Sequence, residues 1–149
     1  MRAVVQRVKW AKVEVEGEIV GQIDRGYMVL VGCEDGDGDK DRKYVEDKIA
    51  GLRVFEDEND KMNLSIEDVG GSLLIISQFT LLGDVRGGRR PSFIKAARPE
   101  FAREMLEQLM DNLRKRGLTV ETGRFQTHME VSLLNDGPVT ILIDSRKGF

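Results

Sequence analysis

The sequence predicts a single α+β domain, a largely antiparallel sheet forming a barrel-like core with flanking helices. Segments with strand character outnumber those with helical periodicity, they come in adjacent runs, and no regular β-α-β alternation or internal repeat is visible. The length, 149 residues with 40% apolar and 33% charged, suits one core and leaves little room for a second.

From Ala3 to Val15, Val4, Val8, Val13 and Val15 are interleaved with polar residues, the mark of a half-buried strand. Glu16-Gly17-Glu18 then turns the chain into Ile19-Val20, so it opens with a hairpin. Tyr27 to Val31 reads as a buried strand. After an acidic loop a helix covers Lys40 to Leu52, with Val45, Ile49 and Leu52 on one face and Asp37 or Asp39 as its cap. Leu73 to Leu82 is a continuous apolar run between Gly70-Gly71 and Gly83, a central strand ending in a functional loop. The clearest helix begins at Pro99 and runs to about Arg116. Phe101, Met105, Leu109 and Leu113 recur at four-residue intervals, basic residues fill its last turn, and Gly117 stops it. Val120 to Phe125, Met129 to Leu134 and Val139 to Asp144 complete the chain as three strands.

Composition narrows the function. The longest apolar stretch, Leu73 to Ile76, is far too short to span a bilayer, and the amino terminus lacks a signal-peptide core, so a soluble, unprocessed, cytoplasmic protein is expected. The lone Cys33 sits in an apolar run and reads as a buried, inert thiol. Neither Cys33 nor His128, the only histidine, has zinc-ligand spacing, and no glycine-rich phosphate loop follows a strand. No metal or nucleotide cofactor is expected. The net charge of −3 opposes indiscriminate nucleic-acid binding, yet between Asp84 and Arg98 five basic residues face one acid. Arg86, Arg89, Arg90, Lys95 and Arg98 either hold phosphate or form a solvated loop.

Two polar interruptions carry the chemistry. Ser77-Gln78-Phe79-Thr80 breaks an apolar strand; either its side chains satisfy nearby backbone, or its N–H groups and the Gln78 amide form an oxyanion site. Asn135-Asp136-Gly137-Pro138 has the composition of a tight turn between two strands. A Gly-Pro peptide held cis, at a cost of about 0.5–1 kcal/mol, would aim two carbonyls the same way and gate a small pocket. Covalent catalysis is poorly supported, because Ser and Thr need a base and His128 has no triad context.

Six ordered segments make the chain resemble the D-aminoacyl-tRNA deacylase family over nearly its whole length. They are Met1 to Val8, Lys61 to Ser65, Asp68 to Gly71, Ser77 to Leu81, Gly88 to Phe93 and Asn135 to Thr140. The resemblance implies a homodimer with active sites at the interface, and a cis Gly137-Pro138 reaching into the partner's pocket. It implies that Arg7 holds the Gly-Pro loop, and that Ser77 to Thr80, with Met129, receive the terminal adenosine and its aminoacyl group. The implied reaction is hydrolysis of D-aminoacyl-tRNA, and of glycyl-tRNA, without cofactor. Gln78 and the N–H groups of Phe79 and Thr80 serve the reacting ester, and L side chains are excluded. Thr80 as nucleophile is the alternative mechanism; a noncatalytic tRNA-binding module and a small-ester hydrolase are the alternative functions. Leu82 and Gln126-Thr127-His128 depart from the family's usual residues and flank expected pocket walls.

Overall fold

The computed structural model describes residues 1–149. β1 (Arg2–Val15) and β2 (Glu18–Ile23) form the expected opening hairpin. Glu16 and Gly17 both have positive φ, 51° and 82°, the backbone of a two-residue turn whose twist matches the flanking strands. β3 (Gly26–Gly32) continues along the same edge of β1 after a break at Asp24-Arg25, pairing Val8 with Gly26 through to Arg2 with Gly32.

Two connections then cross over to parallel strands, which the sequence had not disclosed. α1 (Asp39–Gly51) and the small hairpin of β4 (Phe55–Glu56) and β5 (Met62–Leu64) lead to β6 (Ser72–Ser77), parallel to β3. α2 (Pro99–Lys115) leads to β7 (Thr119–Thr122), parallel to β6. β8 (Glu130–Asp144) returns along the other edge of β1. β7 closes on β2: a Cβ added to Gly21 would lie 2.5 Å from the Thr122 carbonyl oxygen, so only glycine allows this approach.

Closure explains the apolar strands. Leu73 and Ile75 pack on the helix side, while Leu74 and Ile76 join Val8, Ala11, Val13, Ile23 and Met28 inside the barrel. A strand buried on both faces loses its polar alternation.

Several boundaries differ from expectation. The run from Leu73 leaves the sheet at Gln78 and winds into a 3-10 turn, Phe79–Leu82. α1 begins one residue earlier, and neither Asp37 nor Asp39 caps it. Gly38 occupies the cap, where its N–H donates to the Asp41 carboxylate at 3.0 Å, while Asp37 accepts from the Met1 ammonium and the Glu34 N–H. In α2, Met105, Leu106, Leu109, Met110 and Leu113 are buried but Phe101 is exposed. A strict four-residue spacing drifts about 40° per step from a 3.6-residue helix, so the stripe cannot keep one face inward.

The last correction bears on function. Asn135 to Pro138 is no reversal between two strands, because Met129 to Leu134 and Val139 to Asp144 belong to one strand and pair with β1 in the same direction. Val8 pairs with Asn135 and Gln6 with Thr140, so the intervening residues of β8 bulge outward opposite Arg7. No helix is long and apolar enough to cross a membrane.

Candidate active site

At the carboxyl ends of the parallel strands β3 and β6 lies a cavity of about 600 Å³, the customary place for ligands in parallel sheets. Val31 and Cys33 come from β3 and its exit, Ser77 to Thr80 from the exit of β6, Phe93 and Ala96 to Pro99 from the approach to α2, and Phe125 to Met129 from the segment after β7. Ser77, Gln78, Phe79, Thr80, Met129 and Arg98 therefore meet at one site, as do Gln126, Thr127 and His128. Leu82 does not belong to its wall: it is buried against Gly32.

The 3-10 turn fixes the chemistry of the segment after Ser77. The Gln78 N–H is spent on the Val31 carbonyl at 2.8 Å, which ties the turn to the sheet. The N–H groups of Phe79 and Thr80 open the turn and have no protein acceptor, the usual state of first-turn donors. The Gln78 amide donates to the Thr80 hydroxyl. Thr80 is thus held by a donor, with no imidazole or carboxylate bonded to it, and lacks what a nucleophilic hydroxyl needs.

Aromatic surface supplies the other half. Phe79 is 57% exposed and meets Phe93 edge to face, with ring centroids 5.1 Å apart. An exposed aromatic pair beside free N–H donors suits a planar base joined to a polar reacting group. Cys33 lies at the cavity floor but is buried, and burial, with Asp37 beside it, pushes its thiol up to about 12. It stays protonated at neutral pH.

Arg7, Gly137 and Pro138 gather elsewhere, on the β1–β8 face. Arg7 is 4% exposed. Its Nη1 donates to the Val54 carbonyl at 2.6 Å and to Glu56 at 2.8 Å, and its Nε donates to the Asp136 carbonyl at 3.1 Å. Asn135 closes the bulge from the other side, its Nδ2 donating to the carbonyls of Arg7 and Val139. The Gly137–Pro138 peptide is cis. Gly137 has φ +125°, and a Cβ there would lie 2.8 Å from the Val139 side chain and 3.0 Å from Arg7, so glycine is required. Gly137 and Pro138 are themselves exposed. Glu56 had no signal as a bracing residue, because its partner Arg7 is distant in sequence.

The basic segment is arranged as a closed loop, with Asp84 and Ser92 exchanging backbone hydrogen bonds at its neck. Arg86 is forked onto the Asp84 carboxylate, whereas Arg89, Arg90, Lys95 and Arg98 are exposed and without ion-pair partners.

Comparison with known proteins relates the chain to a family. The model of the D-Tyr-tRNA(Tyr) deacylase family matches residues 4–144. The chain is 60% identical to a D-aminoacyl-tRNA deacylase of Natranaerobius thermophilus, with all of both chains covered. It is 61% identical to one of Symbiobacterium thermophilum, covering 100% of this chain and 99% of that one. Among solved structures, a c-Myc DNA unwinding element binding protein superposes with a TM-score of 0.91 at 40% identity, covering 97% of this chain and 98% of that one. A probable eukaryotic D-amino acid tRNA deacylase, at 17% identity and TM-score 0.81 over 96% and 98% of the two chains, shares the fold.

Proposed function

The chain belongs to the D-Tyr-tRNA(Tyr) deacylase family, and from that premise we propose that its main cavity hydrolyses the ester joining a D-amino acid to the terminal adenosine of tRNA. The observation that carries this reading is the meeting, at one cavity, of two unspent N–H donors at Phe79 and Thr80 with an exposed aromatic wall, and with no imidazole or carboxylate bonded to the Thr80 hydroxyl. An aminoacyl ester is reactive already. The site need only orient it, stabilise the tetrahedral oxygen with donors worth about 3–4 kcal/mol, and let the neighbouring ribose hydroxyl assist the attack of water.

Chirality is judged by exclusion, and a second copy of the chain supplies the gate. Gly137 and Pro138 do not line this chain's own cavity but stand exposed on the β1–β8 face. Trp10, Leu134 and Leu142, also exposed, lie on the same two strands. Apolar side chains around a braced, outward-pointing loop suit a self-complementary interface. Docked there, the partner's Gly-Pro carbonyls crowd the α-carbon and leave an L side chain no room. Glycine has no side chain to reject, so glycyl-tRNA is cleaved as well. Complete resistance of glycyl-tRNA at high enzyme concentration would contradict steric gating. The cytoplasm, where aminoacyl-tRNA is made, is the corresponding location.

The direct test is hydrolysis of matched D- and L-tyrosyl-tRNA, with uncatalysed ester decay subtracted. Rapid loss of the D-ester alone is expected. Equal rates would remove the gate, and cleavage of neither would leave a tRNA-binding module in its place.

A further inference from the structure

A second cavity, about 410 Å³, adjoins the first and shares Ser77, Phe125, Thr127 and Met129 with it. Its outer wall comes from α2 and the segment after β7, and its charged lining residues are Arg103, Arg124 and Glu107. None of the three has an ion-pair partner, although Arg2, Arg7, Arg42, Arg86, Arg114, Arg116 and Arg146 are all engaged with carboxylates. Arg103 lies over the Phe125 ring, 4.9 Å from its centroid, which preorganises the guanidinium without neutralising it. Two uncommitted guanidiniums, a carboxylate and an aromatic ring meet at a largely apolar pocket that the ester chemistry does not use.

Resting on the reading of the main cavity as the terminal aminoacyl-adenosine site, we propose that this second cavity receives the preceding nucleotide of the tRNA 3′ end. Arg103 and Arg124 hold the phosphate that joins the two nucleotides, as positive grooves track a single strand. Glu107 accepts from the exocyclic amine of the base, a cytosine in every mature tRNA; carboxylates pair with that amine and not with the carbonyl of uracil. The Phe125–Met129 wall between the cavities spaces the two nucleotides. Arg103 and Arg124 are therefore positioning residues that separate a tRNA ester from a free adenosine ester.

The test compares wild type with an Arg103→Gln, Arg124→Gln double variant on D-tyrosyl-tRNA and on 3′-O-D-tyrosyl-adenosine, which lacks the phosphate. With tRNA, KM rises about 10–30-fold at unchanged kcat, and the salt dependence of kcat/KM becomes shallower by about 0.7 in log–log slope, the share of one single-strand phosphate. With the adenosine ester, the variant matches wild type. Glu107→Ala removes any preference for cytidine over uridine at the preceding position. Equal losses on both substrates, or an unchanged salt slope, overturn the proposal while the deacylase reading stands. Wild type inert on both substrates overturns both. The side chains are exposed, so folding should survive; single Arg124→Gln, expected at roughly half the slope change, serves if the pair does not fold.

Discussion

Replacing Arg7 tests whether the Gly-Pro loop is held by one buried guanidinium. Its fork spans three acceptors contributed by different parts of the chain: the Val54 carbonyl, Glu56 and the Asp136 carbonyl. Glu56 is 41% exposed and returns to water when the arginine is removed, so its pairing adds little. The two carbonyls count for more, because hydrogen bonds to a charged donor contribute about 1.5–3 kcal/mol each. Arg7→Ala should therefore destabilise the protein by about 3–6 kcal/mol, a fall in Tm of about 6–24 °C for a chain of this length. Arg7→Lys keeps the charge but cannot span Val54 and Asp136 with one ammonium, and should forfeit about half of that. On the proposed steric gate, losing about 1.5–3 kcal/mol of loop bracing should raise L-tyrosyl-tRNA hydrolysis about 10–100-fold, with the D rate less affected. The assay is paired D and L single-turnover hydrolysis beside thermal unfolding by circular dichroism. Wild-type discrimination by a folded Arg7→Lys protein would refute the bracing argument.

The remaining predictions concern the cavity and its rim. Thr80→Ala should keep kcat within about tenfold of wild type, whereas removal of a true nucleophile costs on the order of 10⁶; single-turnover rates on D-tyrosyl-tRNA decide. The double change Arg89→Ala, Arg90→Ala should raise KM for tRNA and reduce its log–log salt slope by about 2, since these exposed, unpaired guanidiniums have phosphate as their natural partner; an unaltered KM would make the loop a solvated surface. Cys33, held protonated by burial and by Asp37, should resist iodoacetamide at pH 8 in the native protein and react after urea unfolding, as read by mass spectrometry.

Local signals sufficed wherever periodicity and turn chemistry act within a few residues. The opening hairpin, α1, α2 and the strand before Ser77 fall close to where alternation, helical spacing and Gly or Pro punctuation put them. The polar break at Ser77 to Thr80 was legible for the same reason, since hydroxyl and amide side chains inside an apolar run need partners. The β8 bulge reads locally as a tight turn between two strands, because Asn-Asp-Gly-Pro has one local meaning and pairing with β1 gives it another. The 3-10 turn was likewise hidden, since Phe79 to Leu82 looks like strand until the backbone leaves β3.

By itself, then, the sequence determined the mixed α+β class, its main elements and, through ordered motifs, the family. Tertiary structure alone decided which of those motifs meet. It brought Ser77 to Thr80, Phe93, Arg98 and Met129 to one cavity, and set Arg7, Val54, Glu56 and Asp136 around a loop outside it. The physical reason is range. Periodicity reports contacts within a turn or a pleat, whereas a cavity at the carboxyl ends of parallel strands is assembled by crossover connections and barrel closure, which join residues up to a hundred or so positions apart and leave no local trace.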